Sequence, residues 1–123
     1  AIESSRDLRV WQHGMELAER IHRMTEQFPK HEPYGLASQI RRAAVSVPSN
    51  IAEGHSRESS REYLQAISVA RGSLAELETQ IELACRCGYI TAEERESVLA
   101  LGQATGRLAQ CSSTSQSGLT SDP

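Results

Sequence analysis

A Glu-x-x-His step puts a carboxylate and an imidazole one turn apart on a helix, an arrangement with which helical proteins hold metal ions. Glu19-Arg20-Ile21-His22 is such a step. A di-metal centre needs a second step on another helix and two further inward glutamates, and no glutamate stands three residues before His13, His31 or His55. The chain therefore falls short of a ligand set, and a solvated helix face is the reading for Glu19 and His22. Cys85 and Cys87 are two residues apart, about 200° around a helix, and cannot both turn to one ion. Cys111 has no His and carboxylate placed to make it a nucleophile, and phosphate-cradling glycine loops are missing. No catalytic, cofactor-binding or metal-binding residue is assigned, no cofactor is implied and no small-molecule substrate is identified. The expectation is a protein that is not an enzyme.

Polar residues with another use remain. Arg71 follows Ile67 by four and precedes Leu74 by three, which places a guanidinium on an apolar seam beside Gly72 and Ser73. Two readings fit. In one, Arg71 is buried and bonded to Glu53, Asn50 or a backbone carbonyl freed by Pro48, because an unpaired buried guanidinium costs several kcal/mol. In the other it binds a ligand or a phosphate. Gln39, Arg42, Ser46, Asn50 and Glu53 form a polar stripe at helical spacing. Its donors, acceptors and mixed charges suit either solvent or, the favoured reading, a subunit interface. Arg41, Arg42, Arg57 and Arg61 are the candidates for a basic patch at one end of the molecule, able to touch RNA phosphates without reading sequence. No aromatic residues are interleaved with them for base stacking.

Helices must position all of these. Leu8, Trp11, Met15, Ala18 and Ile21 recur at helical intervals between Asp7 and Gln27, widened by Val10, Leu17, Met24 and Phe28. Ser4, Ser5 or Asp7 would cap this first helix, and Pro29 ends it. A second helix runs from about Gly35 to Glu53 on Leu36, Ile40, Ala43, Val47 and Ile51, and its interior Pro48 predicts a kink or a break. Gly54 fits a left-handed cap. The box Ser59-x-x-Glu62 opens a third helix, from about Ser60 to Gly88 and expected to be the longest. Its inward positions are Leu64, Ile67, Leu74, Leu77, Ile81, Ala84 and Cys85. Thr91-x-x-Glu94 opens the fourth, with Val98, Leu101, Gly102, Thr105 and Leu108 on its buried edge. From Ser112 the tail SSTSQSGLTSDP is nearly without apolar residues and reads as disordered. These four helices with short links predict an all-α, up-down-up-down antiparallel four-helix bundle over residues 1–111, followed by a tail at 112–123.

The 123 residues suffice for one core, and only 4% are aromatic, which is helix-bundle composition. A net charge of −3 gives no global field toward nucleic acid or an anionic membrane. There is no basic-then-apolar leader and no run of about 18 apolar residues of the kind a membrane span needs. Three cysteines without framework spacing suit a reducing compartment, so a soluble, cytoplasmic protein is expected.

Three segments resemble the bacterial four-helix-bundle proteins named for intervening sequences of 23S ribosomal RNA genes. They are DLRVWQHGMELA (7–18), LASQIRRAAVSVPSNIAEG (36–54) and SREYLQAISVARGSLAELETQIELACRCGYI (60–90). The resemblance implies a cytosolic antiparallel bundle that assembles into a homo-oligomer, a pentameric ring around a central channel. The chain also looks like a relative of the accessory protein of diversity-generating retroelements, a basic pentamer that binds RNA and a reverse transcriptase. Unlike that relative it is acidic. The readings that follow are an oligomeric scaffold for an unidentified partner or, alternatively, an RNA-associated protein using the arginines named above.

Overall fold

The computed structural model describes the backbone of residues 5–121 and the side chains of residues 6–114. Four helices account for most of it: α1 (Ser5–Thr25), α2 (Leu36–His55), α3 (Ser60–Arg86) and α4 (Ala92–Ser121). No strand occurs among the described residues. The protein is an all-α four-helix bundle in which α1 packs on α2, α2 on α3 and α3 on α4, and α1 closes the ring against α4. Where the ends meet, Arg41 of α2 reaches Thr25 at the end of α1. Similarly, His55 at the end of α2 reaches Asp7 near the start of α1. Gln27, just past α1, reaches Glu94 at the start of α4. These pairings are compatible with the up-down-up-down course that short links predict.

Local chemistry explains most of the boundaries. Pro29 ends α1 through a short turn, in which Phe28 N–H donates to the Thr25 carbonyl at 3.1 Å. At the start of α2, Gly35 takes φ 60° and offers no side chain to cap the helix. The Glu32 carboxylate does so instead, accepting from the amides of Tyr34 (3.1 Å) and Leu36 (2.7 Å). Ser59 caps α3 by accepting from Glu62 N–H at 3.1 Å. Gly88, at φ 80°, turns the chain out of α3 while Tyr89 N–H returns to the Ala84 carbonyl at 2.9 Å. Thr91 and Glu94 form a reciprocal box, each side chain accepting from the other's amide at 3.0 Å.

Several details differ from the sequence expectation. The buried face of α1 runs through Val10, Gly14, Leu17, Ile21 and Met24, whereas Leu8 and Met15 are exposed and Trp11 and Ala18 half-buried. Both series have helical spacing, and counting apolar residues overlooks Gly14, whose bare Cα lets Pro48 of α2 approach. A Cβ there would lie 3.4 Å from Pro48. Helix α2 continues through Pro48, which excludes a break there and is compatible with a kink. Gly54 is not a left-handed cap but an interior residue packed on α3, where a Cβ would lie 3.2 Å from that of Ala66. At 27 residues α3 is shorter than α4, which has 30. The reason is that α4 does not stop at Cys111. Ser112, where the disordered tail was expected to begin, is buried and extends the series Val98, Thr105, Ala109 by one more small residue. The helix continues to Ser121, and Asp122 and Pro123 lie outside the described residues, as does Ser4.

Candidate functional site

The polar stripe of α2 meets α3 at Ser46 and Asn50. Ser46 Oγ and Ser73 Oγ are 2.8 Å apart, and Asn50 Nδ2 donates to both the carbonyl (2.7 Å) and the hydroxyl (2.9 Å) of Ser46. Gln39 donates to the Tyr34 carbonyl at 2.7 Å, closing the turn before α2. Glu53 holds Arg57 one turn on, and Arg42 is exposed. Asn50, Glu53 and Arg57 share an open groove with Glu62 and Val69 of α3.

Arg71 is not the partner of this stripe. It is exposed, and no hydrogen bond joins it to Asn50 or Glu53. The inward face of α3 passes through Ala70, Ser73 and Leu77, so the residue meeting α2 is Ser73, two positions on. Ser73 carries the signal that was overlooked: it lies three residues after Ala70 and four before Leu77, and its hydroxyl can satisfy a buried seam at little cost. Arg71 turns the other way, into a groove between α3 and α4 lined also by Leu74, Glu78, Gly102, Gly106 and Arg107.

The four arginines proposed to touch RNA do not form one patch. Arg41 lies in the second turn of α2, where its Nε donates to Thr25 Oγ1 at 2.6 Å and its Nη2 to the His22 carbonyl at 3.3 Å. Arg57 lies beyond the last turn of α2, bound by Glu53 and 3.9 Å from Glu62, with Arg61 exposed nearby in the chain. A helix of 20 residues, about 30 Å long, has Arg41 and Arg42 toward one end and Arg57 and Arg61 beyond the other.

The residues first considered for metal chemistry are engaged in ordinary surface pairs. Glu19 is 3.4 Å from Arg23, and His22 is 3.9 Å from Glu26. Among the described residues no group of three or more His, Cys, Asp or Glu side chains is placed to hold a metal ion. Cys85 is half-buried, 3.8 Å from Arg95 Nη1, and Cys87 and Cys111 are exposed.

A cluster at the α2/α3 turn had not been anticipated. His55 Nδ1 lies 3.5 Å from Asp7 Oδ2 of α1, its side chain only 9% exposed, and its ring centroid is 5.1 Å from that of Tyr63 in α3. Burial pushes the imidazole pKa below its ordinary value of 6.5, outweighing the Asp7 charge, which raises it. Burial likewise raises the Tyr63 phenol. The sequence signal was the spacing, since His55 follows Ile51 by four and extends the apolar stripe of α2.

On the outer surface of α1 and α2 three large apolar side chains are left to solvent. Leu8 is 40% exposed, Met15 46% and Val45 56%. With half-buried Trp11 and Ala18, the α1 members repeat at spacings of three and four, so they line one side of the helix.

These surfaces define a four-helix bundle with open grooves between its helices and an apolar stripe on α1. The family model for the 23S rRNA-intervening sequence proteins matches residues 6–110, and the chain belongs to that family. A similar fold is that of a protein of unknown function from the S23 ribosomal protein family of Bacteroides thetaiotaomicron, whose crystal structure superposes with a TM-score of 0.82. Identity is 24%, covering 89% of this chain and 98% of that one. No curated protein matches the chain at a significant level. No helix among the described residues is long and apolar enough to cross a membrane.

Proposed function

We propose that the protein is a non-enzymatic scaffold that works as a homo-oligomer, its copies packing through the outer face of α1 and α2. The observation that carries this reading is the exposure of Leu8, Met15 and Val45 beside half-buried Trp11. Apolar side chains repeating along one helix face gain little from water and much from a second surface. Arg42, one turn before Val45, is exposed on α2 and supplies part of the polar rim that such contacts ordinarily carry. The family resemblance supports a ring of five, and a head-to-tail contact that repeats with a fixed rotation closes into such a ring. Three free cysteines suit the reducing cytoplasm as its place of action.

Size-exclusion chromatography with light scattering tests the assembly. The wild-type chain is expected to elute as one species at about five times its 13.5 kDa mass. The Met15→Glu, Val45→Glu double variant is expected to elute as a helical monomer. A wild-type monomer at micromolar concentration would overturn the proposal.

A further inference from the structure

Most arginines whose partners are visible in this protein are matched to a glutamate within a turn or across a seam: Arg23 with Glu19, Arg57 with Glu53, Arg86 and Arg95 with Glu82. Arg71 and Arg107 break that pattern together. The residues three and four away from Arg71 are Ile67, Ser68, Leu74 and Ala75, and those around Arg107 are Gln103, Ala104, Gln110 and Cys111. No carboxylate lies within one turn of either on its own helix. Both side chains are exposed, and both line the groove between α3 and α4.

Their heights along the bundle differ by only about 3 Å. Gly106 meets Leu74 across the groove, with 3.6 Å between the position of a Gly106 Cβ and Leu74 Cδ1. Arg71 is one turn before Leu74 and Arg107 immediately follows Gly106, so in antiparallel helices both steps lead the same way. The one acid in the groove, Glu78, lies on the far side of Leu74, about 10 Å along the helix from Arg71. No ion pair joins it to Arg71 or Arg107 among the described residues, and across about 10 Å at physiological salt its charge is felt only weakly at Arg71. Between the helices Gly102 leaves open space where other residues would place a side chain, and Gln103 and Gln110 add neutral amide donors. The groove is open to solvent and offers about 450 Å³, a volume within the range of small-ligand sites.

We propose that the α3/α4 groove is an oxyanion site that takes a phosphate ester, gripped between Arg71 and Arg107. A guanidinium presents a planar fork of N–H donors that matches two phosphate oxygens, and two forks facing one anion replace mutual repulsion with shared attraction. The phosphate belongs either to a small phosphorylated molecule or to a nucleic-acid backbone, and the chemistry of the grip is common to both.

Isothermal titration at low salt tests the site on the full chain, with inorganic pyrophosphate in one arm and a short single-stranded RNA in the other. Saturable binding is expected in at least one arm: pyrophosphate binding identifies a small phosphorylated ligand, and binding of RNA alone identifies a backbone phosphate. Arg71→Gln and Arg107→Gln are each expected to weaken it tenfold or more, with Arg9→Gln, an exposed arginine on α1, leaving it unchanged. Circular dichroism and light scattering on the same samples separate loss of the site from loss of fold or assembly, on which the site does not depend. No binding in either arm overturns the proposal, as does binding that ignores both groove variants or falls equally with Arg9→Gln.

Discussion

Pro48 and Gly54 in α2 sit hard against neighbouring helices, whereas Gly102 in α4 faces open space. All three residues weaken a helix in isolation, by up to about 1 kcal/mol for glycine and about 3 kcal/mol for proline. In α2 that cost is recovered by contact. Gly14 of α1 meets Pro48, Gly54 meets Ala66 and Tyr63, and Ala43, Ala44, Val47 and Ile51 of the same helix are buried. In α4 the inward series is sparser: Val98, Thr105, Ala109 and Ser112 are buried, with Leu101 and Leu108 half-buried. The same residue type thus serves close approach in one helix and an open groove in another, and only the neighbour distinguishes them.

Substitution of these glycines is the most direct way to break the comparison. At Gly54 a Cβ already lies 3.2 Å from Ala66 Cβ, and a branched side chain has nowhere to go. Gly54→Leu is expected to lower unfolding free energy by about 1–3 kcal/mol through overpacking, measured by urea denaturation. An unchanged midpoint would show that α2 and α3 are not locked there. At Gly102 nothing lies within 4 Å of the added Cβ. Gly102→Ala is therefore expected to stabilise the fold, by up to about 1 kcal/mol, because helix propensity acts unopposed. A loss of stability at that position would place an unseen neighbour over the groove.

The comparison also explains what was legible in the amino-acid sequence. Helix number and the Ser59 and Thr91 caps rest on local rules, periodicity and first-turn hydrogen bonding, and they are read without knowledge of the partner helix. Rotation about the helix axis is not local. In α1 two series of apolar residues compete at the same period, and the choice falls to the one containing Gly14 because Pro48 of another helix needs the space. Arg71 was assigned inward for the same reason, being 40° from Ile67 in an ideal helix while Ala70 and Ser73 define the true seam. Composition also misjudged α4: Ser112 is polar, but it lies on the buried stripe, and a small hydroxyl is easily accommodated within a helix interface. The candidate groove was least legible of all, since it requires two arginines 36 positions apart to meet across antiparallel helices.

The smallest expected effect sharpens the comparison at the densely packed end of α2. His55 is nearly enclosed there, with Asp7 of α1 and Tyr63 of α3 as the titratable groups beside it. Burial disfavours the imidazolium more than Asp7 favours it, so the folded-state pKa lies below the unfolded value of 6.5. A base with a depressed folded-state pKa binds its proton more weakly in the native state than in the unfolded one. Its stabilising contribution is therefore present above about pH 6.5 and is lost as pH falls through the lower folded value. Glu82 and Glu94, whose pKa values are also lowered, in their case by hydrogen bonds, lose their contributions only in the more acidic carboxylate range. Melting temperature is accordingly expected to decline between pH 7 and 5 in the wild type and to decline less in His55→Gln. Equal slopes for the two would mean that solvent reaches the imidazole, and that the dense packing of α2 ends before its last turn.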